Sequence, residues 1–488
     1  MVNKSLLFGV AIVCLLLFLY IADIQKLYFL NDDNIYIPAS RNLSFLYGTS
    51  FRPVSDITLL TDYSLWGTNA TGYHFTNFFL HVITTVLVFF LANTIFIKYS
   101  AYKTGIYKSI LIAVLFFFYP FHSEAVFWII GRGGLLGALF GVASLLLYIN
   151  REKSKWCFVC AVLLFLTGAF AYETIWIVPF IIVVITYFDI KLYPDRKKDF
   201  VKDAIIFWAF FILYLIIRRS IIGEIGGSPY GSSAIMKFDI PALIRNYNIM
   251  IARSFLPPMQ SVVLLVASYC CLLLLAMLFF RNLIIRKRLS KTILLSVAGL
   301  LISFLPVLTL GVDSHDSESE RFLYFPSIFA VFLLVEAIFE MGKSFRQRML
   351  LFSILLCTEF FYLSRAAGIY QISSKVASVS MAAVAGLDDN SNIYCIDLPV
   401  QYKGGLIFRN GFNEAVSWLT GKNRATIIRV SEREMIKPSL DYKIRYLTFK
   451  NLLPAEAAAV LKNVSPKQLF SEHDVVLKWT DSSLLVIK

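Results

Sequence analysis

The chain has 488 residues, of which 58% are hydrophobic and only 16% charged, against about 25% charged in a typical soluble domain. Its formal net charge of +14 sits in short clusters beside apolar runs, and no nucleic-acid-binding motif accompanies it, which excludes nucleic acid as a partner. The class that remains is a polytopic α-helical membrane protein, because one span takes about 20 consecutive apolar residues.

Leu6 to Ala22 reads as a retained first helix: Lys4 flanks it, and no small-x-small cleavage site follows. Apolar runs then predict spans near 75–97, 106–121, 133–149, 156–171, 174–189, 201–220, 259–280, 291–311, 322–341 and 347–369. With the first run at 5–23, the expectation is about eleven transmembrane helices. Every second loop is basic. These loops carry Lys98, Lys103 and Lys108, then Arg151, Lys153 and Lys155, then Lys191, Arg196, Lys197, Lys198 and Lys202. Arg281, Arg286, Arg288 and Lys291 follow, and last Lys343, Arg346 and Arg348. The positive-inside rule places all of these in the cytoplasm, so the N-terminus is inside and the C-terminus outside.

The acidic and other polar residues of the opposite face then stand apart as chemistry. That contrast predicts a membrane enzyme whose active site lies on the non-cytoplasmic side. The first outer loop, 24–74, is too long for a simple connection. It holds Asp32-Asp33 and a segment from Phe51 whose apolar spacing suits an amphipathic helix lying on the membrane. A second outer loop, 221–258, is broken by Gly226-Gly227-Ser228-Pro229 and Pro257-Pro258. After about 371 the composition changes. Runs beginning at Ile393, Ala425, Ile444 and Ser483 read as strands, and 413–420 and 455–462 read as helices. The expected domains are a membrane part, 1–370, and a small α+β domain, 371–488, on the periplasmic side. No internal repeat is visible. Seven cysteines form no disulfide framework, and Cys157-x-x-Cys160 lies inside a span without a second pair.

The residues able to carry chemistry follow in order. Asp32-Asp33 is either a solvated turn or a carboxylate placed to accept a hydroxyl proton. His122, Glu124 and Arg132 stand at helix junctions, where ionisable groups either anchor helix ends or form a site. Glu173 lies between two apolar runs and needs a cation or a ligand as partner. Arg321 opens a span behind the acidic run 313–320, and a guanidinium there suits a phosphate. Arg218-Arg219 is a second phosphate candidate, and His74 and His81 belong to or adjoin the second span. Asn42, Asn69 and Asn463 stand in Asn-x-Ser/Thr sequons, a pattern that arises often by chance.

The stretch from Phe51-Arg-Pro-Val-Ser-Asp to Asn77-Phe-Phe-Leu-His81 resembles the first-loop-to-second-span region of GT-C fold glycosyltransferases that use polyprenyl phosphate sugars. The branch is that of the transmembrane, tetratricopeptide-repeat O-mannosyltransferases. His122-Ser-Glu-Ala-Val, Gly131-Arg132, Tyr172-Glu173 and Glu320-Arg-Phe-Leu-Tyr-Phe-Pro-Ser327 resemble its later signatures in the same order, over roughly residues 24–330. The tail departs from that branch, since no tetratricopeptide repeats follow. The size and many-span build are also similar to enzymes that decorate lipopolysaccharide O antigen with glucose.

The resemblance implies an inverting hexosyltransferase of the bacterial inner membrane. It would move sugar from an undecaprenyl-type phosphate to a hydroxyl of a periplasmic glycan, such as O antigen, or of a protein. Asp32 or Asp33 would be the catalytic base. Arg132, Arg219 and Arg321 would bind the donor phosphate, and Arg52, His74, His122, Glu124 and Glu173 the substrates. No cofactor is required by this chemistry. A divalent metal at Asp32-Asp33 stays open, with no complete ligand set in view. The rival readings are a lipid-linked glycan polymerase or ligase and, from another class, a transporter or flippase.

Overall fold

A computed structural model describes residues 20–41, 46–47, 50–100, 105–223, 239–285, 290–387, 392–396, 398–422, 425–428, 474–479 and 484–486. The first expected span lies outside these residues except for its helical end, 20–24. Helices stand at the other expected spans. They are Ala70–Tyr99, Gly105–Phe117, Arg132–Ile149, Lys155–Ala169, Val178–Leu192, Lys197–Ile222, Val262–Ile285, Lys291–Ser303, Pro326–Met341 and Phe345–Ala385. Among the described residues, six helices are long and apolar enough to cross a membrane, or seven if one bent pair is a single span. The expected count of eleven is therefore not reached by length alone, because Lys155–Ala169 and Lys291–Val307 are apolar but short. The chain is a multi-pass helical membrane protein.

Local chemistry explains where the helices start. The Asn69 side chain caps Ala70–Tyr99 by accepting from the Thr71 amide, so this sequon asparagine has a structural use. Ser154 caps Lys155–Ala169 in the same way, and Ser344 with Gln347 forms a capping box ahead of Phe345–Ala385. The bent pair is Gly105–Phe117 and Pro120–Phe127, which meet at 52°. Pro120 ends the first of these helices, since proline cannot donate to the preceding turn. The bend carries Ser123 and Glu124 off the axis of the first helix and into the interior.

The segment from Phe51 forms a helix, Pro53–Trp66, whose buried residues are Ser55, Leu59 and Asp62. Its apolar Ile57, Leu65 and Trp66 point outward instead. Its amphipathic character is thus the reverse of a soluble helix, with polar groups turned to the protein. The second outer loop contains the helix Ile240–Arg253, and its Gly226–Pro229 stretch lies outside the described residues.

The Phe345–Ala385 helix runs through residue 371, so the boundary expected there falls inside a continuous helix. Beyond it, a mixed sheet has the order Ala425–Ile428, Asn392–Ile396, Asp474–Trp479, Leu484–Val486. Its first two pairings are parallel and the last antiparallel. The runs at Ile393, Ala425 and Ser483 are strands as expected, whereas those at 444–449 and 455–462 lie outside the described residues. Sequence alone does not single out Asp474–Trp479. The 413–420 helix is present as Phe412–Ala415 followed by a π turn, Val416–Thr420.

One glycine stripe sets the position of the region described next. Gly133, Gly137 and Gly141 share a face of Arg132–Ile149, and a methyl at Gly133 would stand 2.8 Å from the Tyr172 ring. At Gly137 it would stand 3.1 Å from Ile175. Small residues at this spacing let backbones approach closely, and here they seat the Ala171–Ile175 turn. Gly133→Ala is expected to lower stability by about 1–3 kcal/mol through overpacking. Gly368, with open space around it in the Phe345–Ala385 helix, serves as control: Gly368→Ala should stabilise by about 0.5–1 kcal/mol. Thermal melting in detergent checks both signs.

Candidate functional site

The two adjacent carboxylates of the first loop have separate fates. Asp33 is fully buried. Its carboxylate accepts from the Leu30 amide at 2.9 Å and the Ile130 amide at 3.0 Å. It fastens the first loop to the 3₁₀ segment Ile129–Gly131. Asp32 is half-buried and, among the described residues, accepts one side-chain bond, from Asn410 Nδ2 at 3.1 Å. Burial raises its carboxyl above the ordinary range, while the Asn410 bond and the nearby charges of Arg321 and Arg409 oppose that rise. Of the two, Asp32 presents the carboxylate that a substrate hydroxyl could meet.

Two arginines converge on Tyr172 from different elements. The Arg321 amide donates to Glu124 at 2.9 Å, and its guanidinium also pairs with that carboxylate. Arg321 Nε donates to the Tyr172 hydroxyl at 3.3 Å. The same guanidinium lies over the Trp128 ring, 5.4 Å from its centre. Arg52 stacks over the ring of Tyr172 at 4.5 Å and pairs with Glu173 at 2.9 Å. The other oxygen of Glu173 pairs with the buried Arg218 at 2.7 Å. Glu124 and Glu173 thus orient cations, and Arg52 and Arg321 keep 27% and 18% of their side chains exposed. That exposure decides which cations can reach a ligand.

Arg132, also expected at the donor phosphate, is placed differently. It is buried, and its donors are taken by Asn77 at 2.8 Å, the Thr58 and Tyr73 carbonyls, and Asp62. It joins the Pro53–Trp66, Ala70–Tyr99 and Arg132–Ile149 helices. Arg219 is exposed and donates to the Gly223 carbonyl at its own helix end, apart from the cluster around Tyr172. Its neighbour Arg218 faces inward, because successive helical residues point about 100° apart. His74 and His122 are fully buried. His74 Nε2 lies 3.3 Å from the Tyr28 carbonyl oxygen, and His122 Nε2 lies 2.7 Å from Ser327 Oγ. Rings of His81, Phe116, Tyr119 and Tyr324 enclose His122. Both histidines, expected at the substrates, are enclosed within the protein.

Several residues of this region escape sequence reasoning. Asp62 is signalled only by helical spacing with Ser55 and Leu59. Arg253 pairs with Glu320 at 2.5 Å, and Ser123 Oγ donates to the same carboxylate. Arg409 makes a two-pronged pair with Glu318 at 2.7 and 2.9 Å. Nothing in the sequence links Arg409 or Asn410 to the first loop across almost the whole chain. Among the described residues, no group of three or more His, Cys, Asp or Glu side chains could hold a metal ion.

No family model matches the chain. Over 115 residues it is 33% identical to a protein O-mannosyl-transferase of Caenorhabditis elegans, a stretch covering 24% of this chain and 16% of that protein. The human protein O-mannosyl-transferase TMTC4 is 33% identical over 115 residues, 22% of this chain and 16% of its own length. Mouse TMTC2 is 32% identical over 107 residues, covering 22% and 12%. These relatives come from the branch that the first-loop motif resembles, and the matched stretch is shorter than the 24–330 region over which the motifs keep their order. The chain spans no more than 16% of the length of these three relatives. It is also similar to the crystal structure of ArnT from Cupriavidus metallidurans bound to undecaprenyl phosphate, with a TM-score of 0.49 and 8% identity. That similarity covers 99% of this chain and 94% of the other.

The Arg132–Asp62 pair has a distinct expected signature. Asp62→Ala should cost about 3–5 kcal/mol by leaving a buried charge unpaired. Adding Arg132→Met should restore much of that loss, measured by thermal melting of both single variants and the double variant.

Proposed function

We propose that this chain is an inverting GT-C glycosyltransferase of a bacterial inner membrane, with its site on the periplasmic face. The donor is a hexose on a polyprenyl phosphate. The observation that carries the reading is a half-buried carboxylate, Asp32, with Arg321 among the charges around it, and Tyr172 touching the partly exposed guanidiniums of both Arg321 and Arg52. An acceptor hydroxyl gives its proton to Asp32 as its oxygen attacks the anomeric carbon. The carbon–oxygen bond to the phosphate breaks on the opposite face of the sugar, and the polyprenyl phosphate leaves with the electron pair. Arg321 and Arg52 stabilise the charge gathering on that phosphate, as preorganised cations do.

The similarity to O-mannosyl-transferases makes a mannosyl donor and a protein hydroxyl the first substrates to assay. Glucosyl donors and a cell-surface glycan such as O antigen come next. General-base assistance supplies roughly 10²–10⁴-fold, so positioning and phosphate stabilisation carry the rest.

The test is sugar transfer by purified protein in nanodiscs, with defined polyprenyl monophosphate and diphosphate donors. Asp32→Asn should lower kcat by about 10²–10⁴-fold with donor KM little changed. Arg321→Ala should lower kcat/KM while leaving the fold intact. Asp33→Asn should instead destabilise the protein, because an amide turns an NH₂ toward one of the two backbone donors that the carboxylate accepts. Full activity in Asp32→Asn would remove this carboxylate from catalysis. Turnover of diphosphate donors alone would favour a polymerase or ligase, and lipid movement without transfer would favour a flippase.

A further inference from the structure

Residues 401–411 form a strap that bonds to Asp32 through Asn410 and to Glu318 through Arg409. Strands Gln401–Tyr402 and Gly405–Leu406 pair as a tight hairpin. Its turn residues Lys403 and Gly404 both have positive φ, 49° and 93°, as the favoured two-residue hairpin turn requires. The hairpin tip is seated on the loop that leads to Arg321. Ser317 Oγ donates to the Lys403 carbonyl at 3.2 Å, and a methyl at Gly404 would stand 2.6 Å from the Ser317 amide. Arg409 fixes the same loop through Glu318.

The strap then reaches the first loop at three atoms in a row. The Asn31 amide donates to the Ile407 carbonyl at 2.7 Å. The Asn410 amide donates to Asn31 Oδ1 at 2.7 Å, and Asn410 Nδ2 donates to Asp32 at 3.1 Å. Asn31 itself holds a positive φ of 46°, a conformation that asparagine tolerates better than most residues. At Gly411, also at positive φ, a methyl would stand 2.5 Å from the Asn31 carbonyl oxygen. Only glycine permits that approach.

We infer that Asn410 is a positioning residue for the Asp32 carboxylate, and that strap 401–411 sets the distance between that carboxylate and Arg321 by gripping both loops. The inference rests on the proposed role of Asp32 as base, and deepens it. An amide donor suits this place: it holds one carboxylate oxygen and leaves the other for the acceptor hydroxyl. It adds no charge that would pair with the base and lower its basicity as a cation would.

The charged groups around Asp32 are Asp33 beside it in the chain, Arg321 on the facing loop and Arg409 on the strap. Asn410→Ala leaves all three in place and removes one donor from the charged form of Asp32. The carboxyl then keeps its proton to a higher pH, and the acid limb of kcat/KM moves up by roughly one pH unit. The loss of orientation should lower kcat by roughly 10- to 100-fold. Asn410→Asp, nearly the same shape, should move the limb further up by like-charge repulsion, with partial recovery at acid pH where the new carboxyl can donate. A purely structural role would lower activity at all pH values without moving the limb.

The experiment pairs these pH profiles with infrared titration of the protonated-carboxyl band that Asp32→Asn abolishes, a readout that needs no turnover. A midpoint raised in Asn410→Ala supports the inference. An unmoved midpoint and limb would overturn it, even where Asp32→Asn is inactive and the base reading stands. If Asp32→Asn is fully active but the midpoint still moves, the contact is real and the base reading is what fails.

Discussion

The carboxylate of Asp33, buried between the amides of Leu30 and Ile130, is the constraint on which the candidate site depends. A segment without regular structure must find partners for its amides inside the protein. Here one acidic side chain satisfies two amides that are about a hundred residues apart in the chain. The first loop is therefore registered against the turn that precedes the Arg132–Ile149 helix. Asp32 follows from that registration, because its neighbour is fixed and its own carboxylate must turn the other way. Two adjacent acidic residues that look equivalent in sequence thus differ: Asp33 is a buried brace, and Asp32 stays half-buried.

The same sorting governs the arginines. A buried guanidinium needs all its donors matched inside the protein. Arg132 does this with Asp62, Asn77 and two carbonyls, and Arg253 does it with Glu320 and the carbonyls of Asp313 and Leu256. Once matched in this way, such a group is a structural joint. Arg52 and Arg321 differ because each has an acidic partner on one side and an aromatic face on the other. Their aromatic contacts orient the guanidinium without using up its donors.

How much of this was legible in sequence varies with the range of the interaction. Spans were legible because apolar runs act locally, and the helices stand where hydropathy puts them. The C-terminal strands at 393, 425 and 483 were legible for the same reason. The sequence also marks Glu124, Glu173 and Arg321, since ionisable residues at helix ends stand out against an apolar chain. What it withholds is direction. Arg218 and Arg219 are adjacent and identical in type, yet only the first faces Glu173. His74 and His122 have the chemistry of a site but are enclosed by packing. Asn410 is the extreme case: its partner Asp32 lies 378 residues away, and neither motif nor periodicity connects them.

The opposite end of the bundle gives the cationic clusters a second meaning. Lys98 pairs with Glu152 and Asp189, and Arg151 pairs with Asp189 and Asp203. The Tyr99 hydroxyl donates to Asp189 at 2.6 Å. Asp189 is fully buried, so these charges tie the Ala70–Tyr99, Arg132–Ile149, Val178–Leu192 and Lys197–Ile222 helices together. A basic loop that orients a chain in the membrane can thus also lock its helices once they are assembled. Locking at that end has a consequence for the other. Arg132 and Glu173 begin elements whose far ends are clamped in this way, so the pairs they make with Asp62, Arg52 and Arg218 stand on anchored helices.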